Sequence, residues 1–214
     1  PFFIEAMTGG SQQSTRINRQ LARLAKRHHL AMATGSMSII FKDPAAKASF
    51  TCLREENPTG LLFANLGAGA NLAQAQAAVD LIKADALEIH LNAAQETVMP
   101  DGDRALPWRD HLRETITHPT ILASGGITSP LDVMKSLALG AKAAGVAGYF
   151  LHCLLRQGET GLDQELSHWT RELKRLYALL GIQTTADAGQ IETVWDSNLT
   201  NFWRQRTSQR KSES

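Results

Sequence analysis

The sequence predicts a (β/α)₈ TIM barrel, and three observations carry that prediction. Apolar strand segments alternate with amphipathic helical segments along the chain, which calls for parallel strands joined by crossover helices. Every strand segment ends in small or polar residues: Thr8-Gly9-Gly10, Ser36, Asn65, His90 with Asn92, Gly125-Gly126 and Gly148. A barrel gathers its site at the C-terminal ends of all its strands, whereas an open doubly wound sheet concentrates polar residues at one switch point. The third observation is the stretch Glu88 to Glu96. Leu87, Ile89 and Leu91 alternate there with Glu88, His90 and Asn92, the period of two of a strand. Burying that polar face without partners would cost about 1–3 kcal/mol per group, so the face is read as the lining of a site. Gln95 and Glu96 follow just past the strand end, where a loop can turn them toward the same place.

In chain order, Phe2 to Met7 reads as a buried strand, followed after Gly9-Gly10 by a helix with Ile17, Leu21 and Leu24 inward. The paired glycines suit either a close approach to a ligand or a tight turn. Leu30 to Ser36 is a second strand. Phe41 to Thr59 reads as irregular, broken by Lys42-Asp43-Pro44 and Asn57-Pro58. Leu61 to Leu66 is a third strand, and Asn71 caps a helix with Leu72, Ala75, Val79 and Ile82 inward. Ala86 to Asn92 is the fourth strand. A polar loop follows, then a short helix from about Trp108 to Ile116. Pro119 to Ala123 is a fifth strand, after which Thr128 or Ser129 caps a helix with Val133, Leu137 and Leu139 inward and Pro130 in its first turn. Ala143 to Gly148 is the last strand. A helix spans Leu162 to Leu180, with Leu166, Leu173, Leu176 and Leu180 on its inner side, and Gly181 stops it. Residues 1–197 are expected to form one domain, and the polar, basic tail 198–214 a solvated extension.

Six strand–helix units fall two short of a closed barrel. The expected break lies near Ile116-Thr117-His118-Pro119, where a helix of barely two turns runs into a strand almost without a loop. Further residues are expected there and before Pro1, because Phe2 already lies in a core strand.

Bulk properties narrow the partners. A chain of 214 residues with 43% hydrophobic and 20% charged residues has the make-up of an ordinary globule. A net charge of +1 gives no electrostatic reason to expect nucleic acid or an acidic membrane as partner. No run approaches the ~20 apolar residues of a membrane span, and no signal peptide is visible. Cys52 and Cys153 lack CxxC spacing, which argues against a zinc site or disulfide framework and for a reducing cytoplasm.

Ser124-Gly125-Gly126-Ile127 and Val146-Ala147-Gly148-Tyr149 close the last two strands. In barrels those loops and a helix N-terminus form the usual phosphate cradle, with glycines exposing backbone N–H groups. Taken together, Ala6-Met7-Thr8-Gly9-Gly10-Ser11, Gly35-Ser36, Asn65-Leu66-Gly67, His90-Leu91-Asn92-Ala93-Ala94-Gln95-Glu96, Pro100-Asp101-Gly102-Asp103-Arg104 and Ala123-Ser124-Gly125-Gly126 resemble the type 2 isopentenyl diphosphate isomerases. The resemblance runs from Pro1 to about Asp187, and its most specific part is His-Leu-Asn-x-x-Gln-Glu followed by Gly-Asp-Arg.

The resemblance implies an FMN- and Mg²⁺-dependent isomerase of a small diphosphate substrate, its flavin reduced by NADPH or NADH, in a homo-oligomer such as a tetramer or octamer. It implies that Ala6, Met7 and Thr8 lie along the flavin and that Ser36 and Asn65 hydrogen-bond it. Gly125, Gly126, Ile127, Ala147 and Gly148 would hold the FMN phosphate. His90, Asn92 and Gln95 would bind substrate, Gln95 at the reacting end, and Glu96 would bind Mg²⁺. The family's N-terminal Arg-Lys segment, its flavin-contacting Lys and its Gly-Gly-Thr-Asn motif have no counterpart in the sequence. Two other readings share parts of this pattern: another FMN barrel, such as a 2-hydroxy-acid oxidase or nucleotide dehydrogenase, and a phosphate-binding barrel without chemistry. The first lacks a suitably placed His–Arg pair or loop Cys, and Gln95-Glu96 argues against the second.

Overall fold

Among the described residues six short parallel strands form one curled sheet: β1 (Phe2–Ile4), β2 (Met32–Ala33), β3 (Leu62–Gly67), β4 (Ala86–His90), β5 (Leu122–Ser124) and β6 (Ala143–Val146). The computed structural model describes residues 1–67, 69–90 and 120–211. The strand order is β4-β3-β2-β1-β6-β5. The first strand therefore pairs with the last, Phe2 opposite Ala144 and Ile4 opposite Val146. Read from β5, the order is 5-6-1-2-3-4, that of a barrel opened at one place. The opening lies between β4 and β5, which are joined by the interval containing 116–119.

The sheet's two faces follow from alternation along the strands. In β1, Phe2 and Ile4 point to the helical layer, where Phe2 packs 5.6 Å from Trp169 and 6.0 Å from Phe150 between ring centroids. Phe3 and Glu5 point to the barrel interior, Phe3 meeting Phe63 of β3 edge-on at 5.8 Å. Gly145 of β6 makes room for both, since a Cβ there would lie 2.2 Å from Glu5 Oε2 and 2.8 Å from Phe3 Cζ. In β3, Leu62, Ala64 and Leu66 are fully buried against the helices, while Asn65 faces inward. Asn65 stands in register with Glu88 of β4.

Helix α1 (Gln12–His28) starts where Ser11 Oγ accepts from Ser14 N, and Ile17, Leu21 and Leu24 are buried as expected. The stretch expected to be irregular instead holds two 3₁₀ turns, Met37–Phe41 and Pro44–Lys47, and a helix, α2 (Ala48–Glu56). Its apolar residues Phe50, Cys52 and Leu53 are fully buried, and the helix packs against α1 and α3. In α3 (Leu72–Ile82) Asn71 and Gln74 form a full capping box, but Leu72 is 85% exposed, contrary to expectation. It occupies the first turn, and Ala78 and Ile82 cover the sheet instead. Ser129 caps α4 (Pro130–Ala138), with Val133 and Leu137 buried. Leu139 is exposed because the helix has ended at it.

Helix α5 (Gly148–Leu180) is longer than expected and is two helices joined at Gly158, where φ is 71°. Its C-terminal half buries Leu166, Trp169 and Leu173; Gly181 ends it at φ 68°, leaving Leu180 outward. The basic tail, expected to be solvated chain, forms a helix, α6 (Ser197–Lys211). Asp196 starts it by accepting from Asn198 N at 2.8 Å. Among the described residues no helix is long and apolar enough to cross a membrane.

Candidate active site

At the C-terminal ends of the strands a cavity of about 400 Å³ is lined by Glu5, Ala6, Met7, Gly35, Ser36, Asn65, Glu88, His90 and Ser124. Five residues singled out from sequence, Ala6, Met7, Ser36, Asn65 and His90, thus share one wall. Thr8 stands just beyond it, its hydroxyl donating to Asn18 at 2.7 Å. Asn92, Gln95 and Glu96 lie outside the described residues. A larger cavity, about 750 Å³, opens at the opposite face beside Arg23, Lys26 and Asn57. Its Arg23 and Glu56 are paired with each other, and it is remote from the strand ends that a barrel uses for chemistry.

The polar groups of the smaller cavity are coupled. His90 Nδ1 lies 2.8 Å from Asn65 Oδ1. The Asn65 amide also neighbours the Glu88 carboxyl, which draws its NH₂ and turns Oδ1 toward His90. His90 Nδ1 then carries the proton, and Nε2 is left for a ligand. Burial pushes the Glu88 carboxyl up to about 7; the Asn65 amide opposes this, and the nearby Glu5 carboxylate adds to it. Oε2 of Glu88 is buried without a hydrogen-bond partner, as expected of a group that a ligand or a proton satisfies. A raised carboxyl pKa makes the folded state bind more protons than the unfolded chain between the ordinary value, 4.5, and about 7. Stability contributed by this group is present below that window and falls as pH rises through it. Glu88→Gln is therefore expected to flatten the melting-temperature profile from pH 5 to pH 8, a profile that thermal unfolding across that range measures directly.

The cradle residues lie at the same end of the sheet, beyond the cavity wall. Ser124 pairs with Gly145, so the loops leaving β5 and β6 run side by side. Gly125 and Gly126 have φ of 92° and 73°, and nothing lies within 4 Å of a Cβ built on either. They are required for backbone shape, not for space. Ala147 precedes α5 with no side-chain cap, so the first N–H groups of that helix are left to an external acceptor. Ile127 packs partly buried against the core.

Sequence relatives share this scaffold. Isopentenyl-diphosphate delta-isomerase of Limosilactobacillus reuteri subsp. reuteri (strain JCM 1112) is 41% identical over 283 residues, covering 96% of this chain and 81% of that protein. The protein of the same name from Nocardia farcinica (strain IFM 10152) is 37% identical over 282 residues, covering 96% of this chain and 78% of the relative. The chain belongs to the isopentenyl-diphosphate delta-isomerase family. Residues 105–195 match the model of the FMN-dependent dehydrogenases, which places the chain with the FMN-dependent kind of isomerase. Both alignments are longer than this chain's 214 residues, so each relative carries residues with no counterpart here.

Solved structures support the barrel. The recombinant flavin-binding domain of baker's yeast flavocytochrome b2 has a TM-score of 0.63 at 14% identity, covering 94% of this chain and 73% of that one. A mandelate oxidase mutant with the monooxide FMN adduct has a TM-score of 0.57 at 18% identity, covering 92% of this chain and 80% of the other. At such identities the likeness establishes fold alone.

Sequence reasoning missed Glu5 as part of the cavity wall, although a single acid inside Phe2-Phe3-Ile4-Glu5-Ala6-Met7 was the available signal. It also missed Asn18 and Ser49, which hold the loop after β1. Cys52 and Cys153 are buried, and burial raises the Cys52 thiol to about 11, which leaves it unreactive at neutral pH.

Proposed function

We propose that the protein interconverts isopentenyl diphosphate and dimethylallyl diphosphate, using reduced FMN and Mg²⁺, with NADPH or NADH as the reductant of the flavin. The observation that carries the reading is the convergence of Ala6, Met7, Ser36, Asn65 and His90 on one cavity in a chain of this family. The cradle chemistry fits FMN: the glycine loop at Gly125-Gly126 and the uncapped start of α5 at Ala147-Gly148 offer backbone donors to its phosphate. Ala6, Met7 and Thr8 would flank the ring system, and Ser36 would offer it a hydroxyl. Asn65 would reach it by its amide while fixing the tautomer of His90.

When bound, reduced FMN supplies an acid and a base for the allylic proton shift. This chain's part is to bind, orient and shield. His90 Nε2, Asn92 and the Gln95 amide would orient the substrate without adding charge, and Gln95 would stand at the reacting carbons. Among the described residues no cluster of His, Cys, Asp or Glu could hold a metal ion. Glu96, assigned on its motif, is the proposed Mg²⁺ ligand, completed by diphosphate oxygens as is usual for a hard cation. Glu96→Gln is expected to raise the Mg²⁺ concentration for half-maximal rate by about tenfold while FMN still binds. A Mg²⁺ titration of the rate, beside a flavin titration, checks both.

A cytoplasmic, homo-oligomeric enzyme, tetrameric or octameric, and a barrel completed by about two further strand–helix units between β4 and β5 belong to the same proposal. The test is turnover: isopentenyl diphosphate supplied with the protein, FMN, NADPH and Mg²⁺ should yield dimethylallyl diphosphate. No product with the flavin bound and reduced would leave only a phosphate-binding barrel.

A further inference from the structure

The loop from Met7 to Gly10, between β1 and α1, is held from three sides. From α1, Asn18 Nδ2 donates to Thr8 O at 3.2 Å and to Ser49 O at 2.7 Å, and Asn18 Oδ1 accepts from the Thr8 hydroxyl at 2.7 Å. From α2, Ser49 Oγ accepts from Gly10 N at 2.8 Å and donates to Ala46 O at 2.7 Å. The Phe50 ring fills the space over Gly9, where a Cβ would lie 2.2 Å from Cζ. From the end of β2, Gly35 lets the Thr8 backbone approach: a Cβ there would meet Thr8 O at 2.6 Å. Asn18 and Ser49 are 2% and 1% exposed, so neither can touch a ligand in the cavity.

The polarity of this brace is fixed. Two carbonyl oxygens, Thr8 O and Ser49 O, can only accept, so the Asn18 NH₂ must face them and its Oδ1 must face the Thr8 hydroxyl. The Thr8 hydroxyl hydrogen is thereby spent on Asn18. What Thr8 can still offer to the cavity side is an acceptor lone pair.

We propose that Asn18 and Ser49 are positioning residues: they set the Met7–Gly10 loop before the cofactor arrives and present Thr8 Oγ1 as an acceptor for a cofactor N–H. The inference rests on the reading that FMN lies along this loop. A preformed loop binds more tightly because no ordering cost falls on binding.

The test compares Ser49→Ala and Asn18→Leu with the wild type by flavin-fluorescence titration with FMN, thermal melting of the flavin-free proteins, and hydrogen exchange at Gly10 N–H. Ser49→Ala removes one oxygen and leaves the packing of α2 in place, so it should fold. It is expected to weaken FMN binding by about tenfold and to speed Gly10 exchange by about tenfold. A residue that merely stabilises the fold would lower the melting temperature and leave the FMN affinity of the folded protein unchanged. Thr8→Ser should keep FMN affinity and Thr8→Val should lose about tenfold. Wild-type FMN affinity in folded Ser49→Ala would overturn the proposal. If the wild type itself bound no FMN, the flavin reading would fail, and Gly10 exchange alone would decide the brace: unchanged exchange in Ser49→Ala overturns it.

Discussion

Gly126→Val is expected to weaken FMN binding by about a hundredfold. Gly126 has φ of 73°, a left-handed conformation that costs an ordinary L-residue about 1–2 kcal/mol and a β-branched one more. Nothing lies within 4 Å of a Cβ there, so steric conflict within the protein is not the source. Valine would pull the loop out of the left-handed region, and with it the N–H groups proposed to meet the phosphate beside Ala147 and Gly148. Asparagine tolerates that region, so Gly126→Asn should lose far less affinity. Flavin-fluorescence titration of the three proteins separates the two effects. Equal affinity in Gly126→Val and the wild type would remove this loop from the cofactor site.

Arg54→Met is expected to cost about 3 kcal/mol of stability, the largest loss predicted outside the site. Arg54 joins the last turn of α2 to the N-terminal ends of β3 and β4. Its guanidinium donates to Ile82 O at 3.0 Å, Gly60 O at 2.8 Å, Lys83 O at 2.7 Å and Asp85 Oδ2 at 3.0 Å, with longer bonds to Asn57 O and Pro58 O. Methionine keeps much of the stem's packing and leaves those carbonyls without a donor. The same change removes one of the supports of Asp85, whose carboxyl is held below the ordinary range by the Leu62 N–H first, which stays, and by Arg54 as well. A depressed carboxyl stabilises above its ordinary pKa and ceases to as pH falls, so the mutational loss should shrink in acid. Chemical denaturation at pH 7 and pH 4 measures both.

What is legible in the sequence is whatever has a period or a stop. The alternation through Leu87, Glu88, Ile89 and His90 marks β4 and the face from which Glu88 and His90 line the cavity, and Asn71, Gly181 and one of the pair Thr128 and Ser129 mark helix ends where the structure has them. What is not legible depends on contacts between distant segments. Helix α2 is hidden because its buried residues Phe50, Cys52 and Leu53 follow Lys42-Asp43-Pro44, and nine residues are too few for periodicity to outweigh the breakers. The first half of α5 goes unread because Tyr149-Phe150-Leu151, directly after the last strand, is a short apolar run that periodicity cannot assign. Gly9 reads as a ligand contact or a turn residue, and its neighbour proves to be Phe50, 41 positions on. Glu5 gains its meaning only from Gly145, brought alongside it by the pairing of β1 with β6, and from Glu88 of β4, which meets it across the curled sheet.

The central claim is that this barrel moves a double bond without net oxidation, and proton NMR in D₂O tests it most directly. Isopentenyl diphosphate is incubated anaerobically with the protein, Mg²⁺ and pre-reduced FMN. The expected result is dimethylallyl diphosphate carrying deuterium from solvent, with the flavin still reduced at the end. An absence of allylic product, together with reduction of oxidised FMN by a 2-hydroxy acid such as lactate in a separate anaerobic incubation with the protein, would contradict it and assign the fold to oxidation.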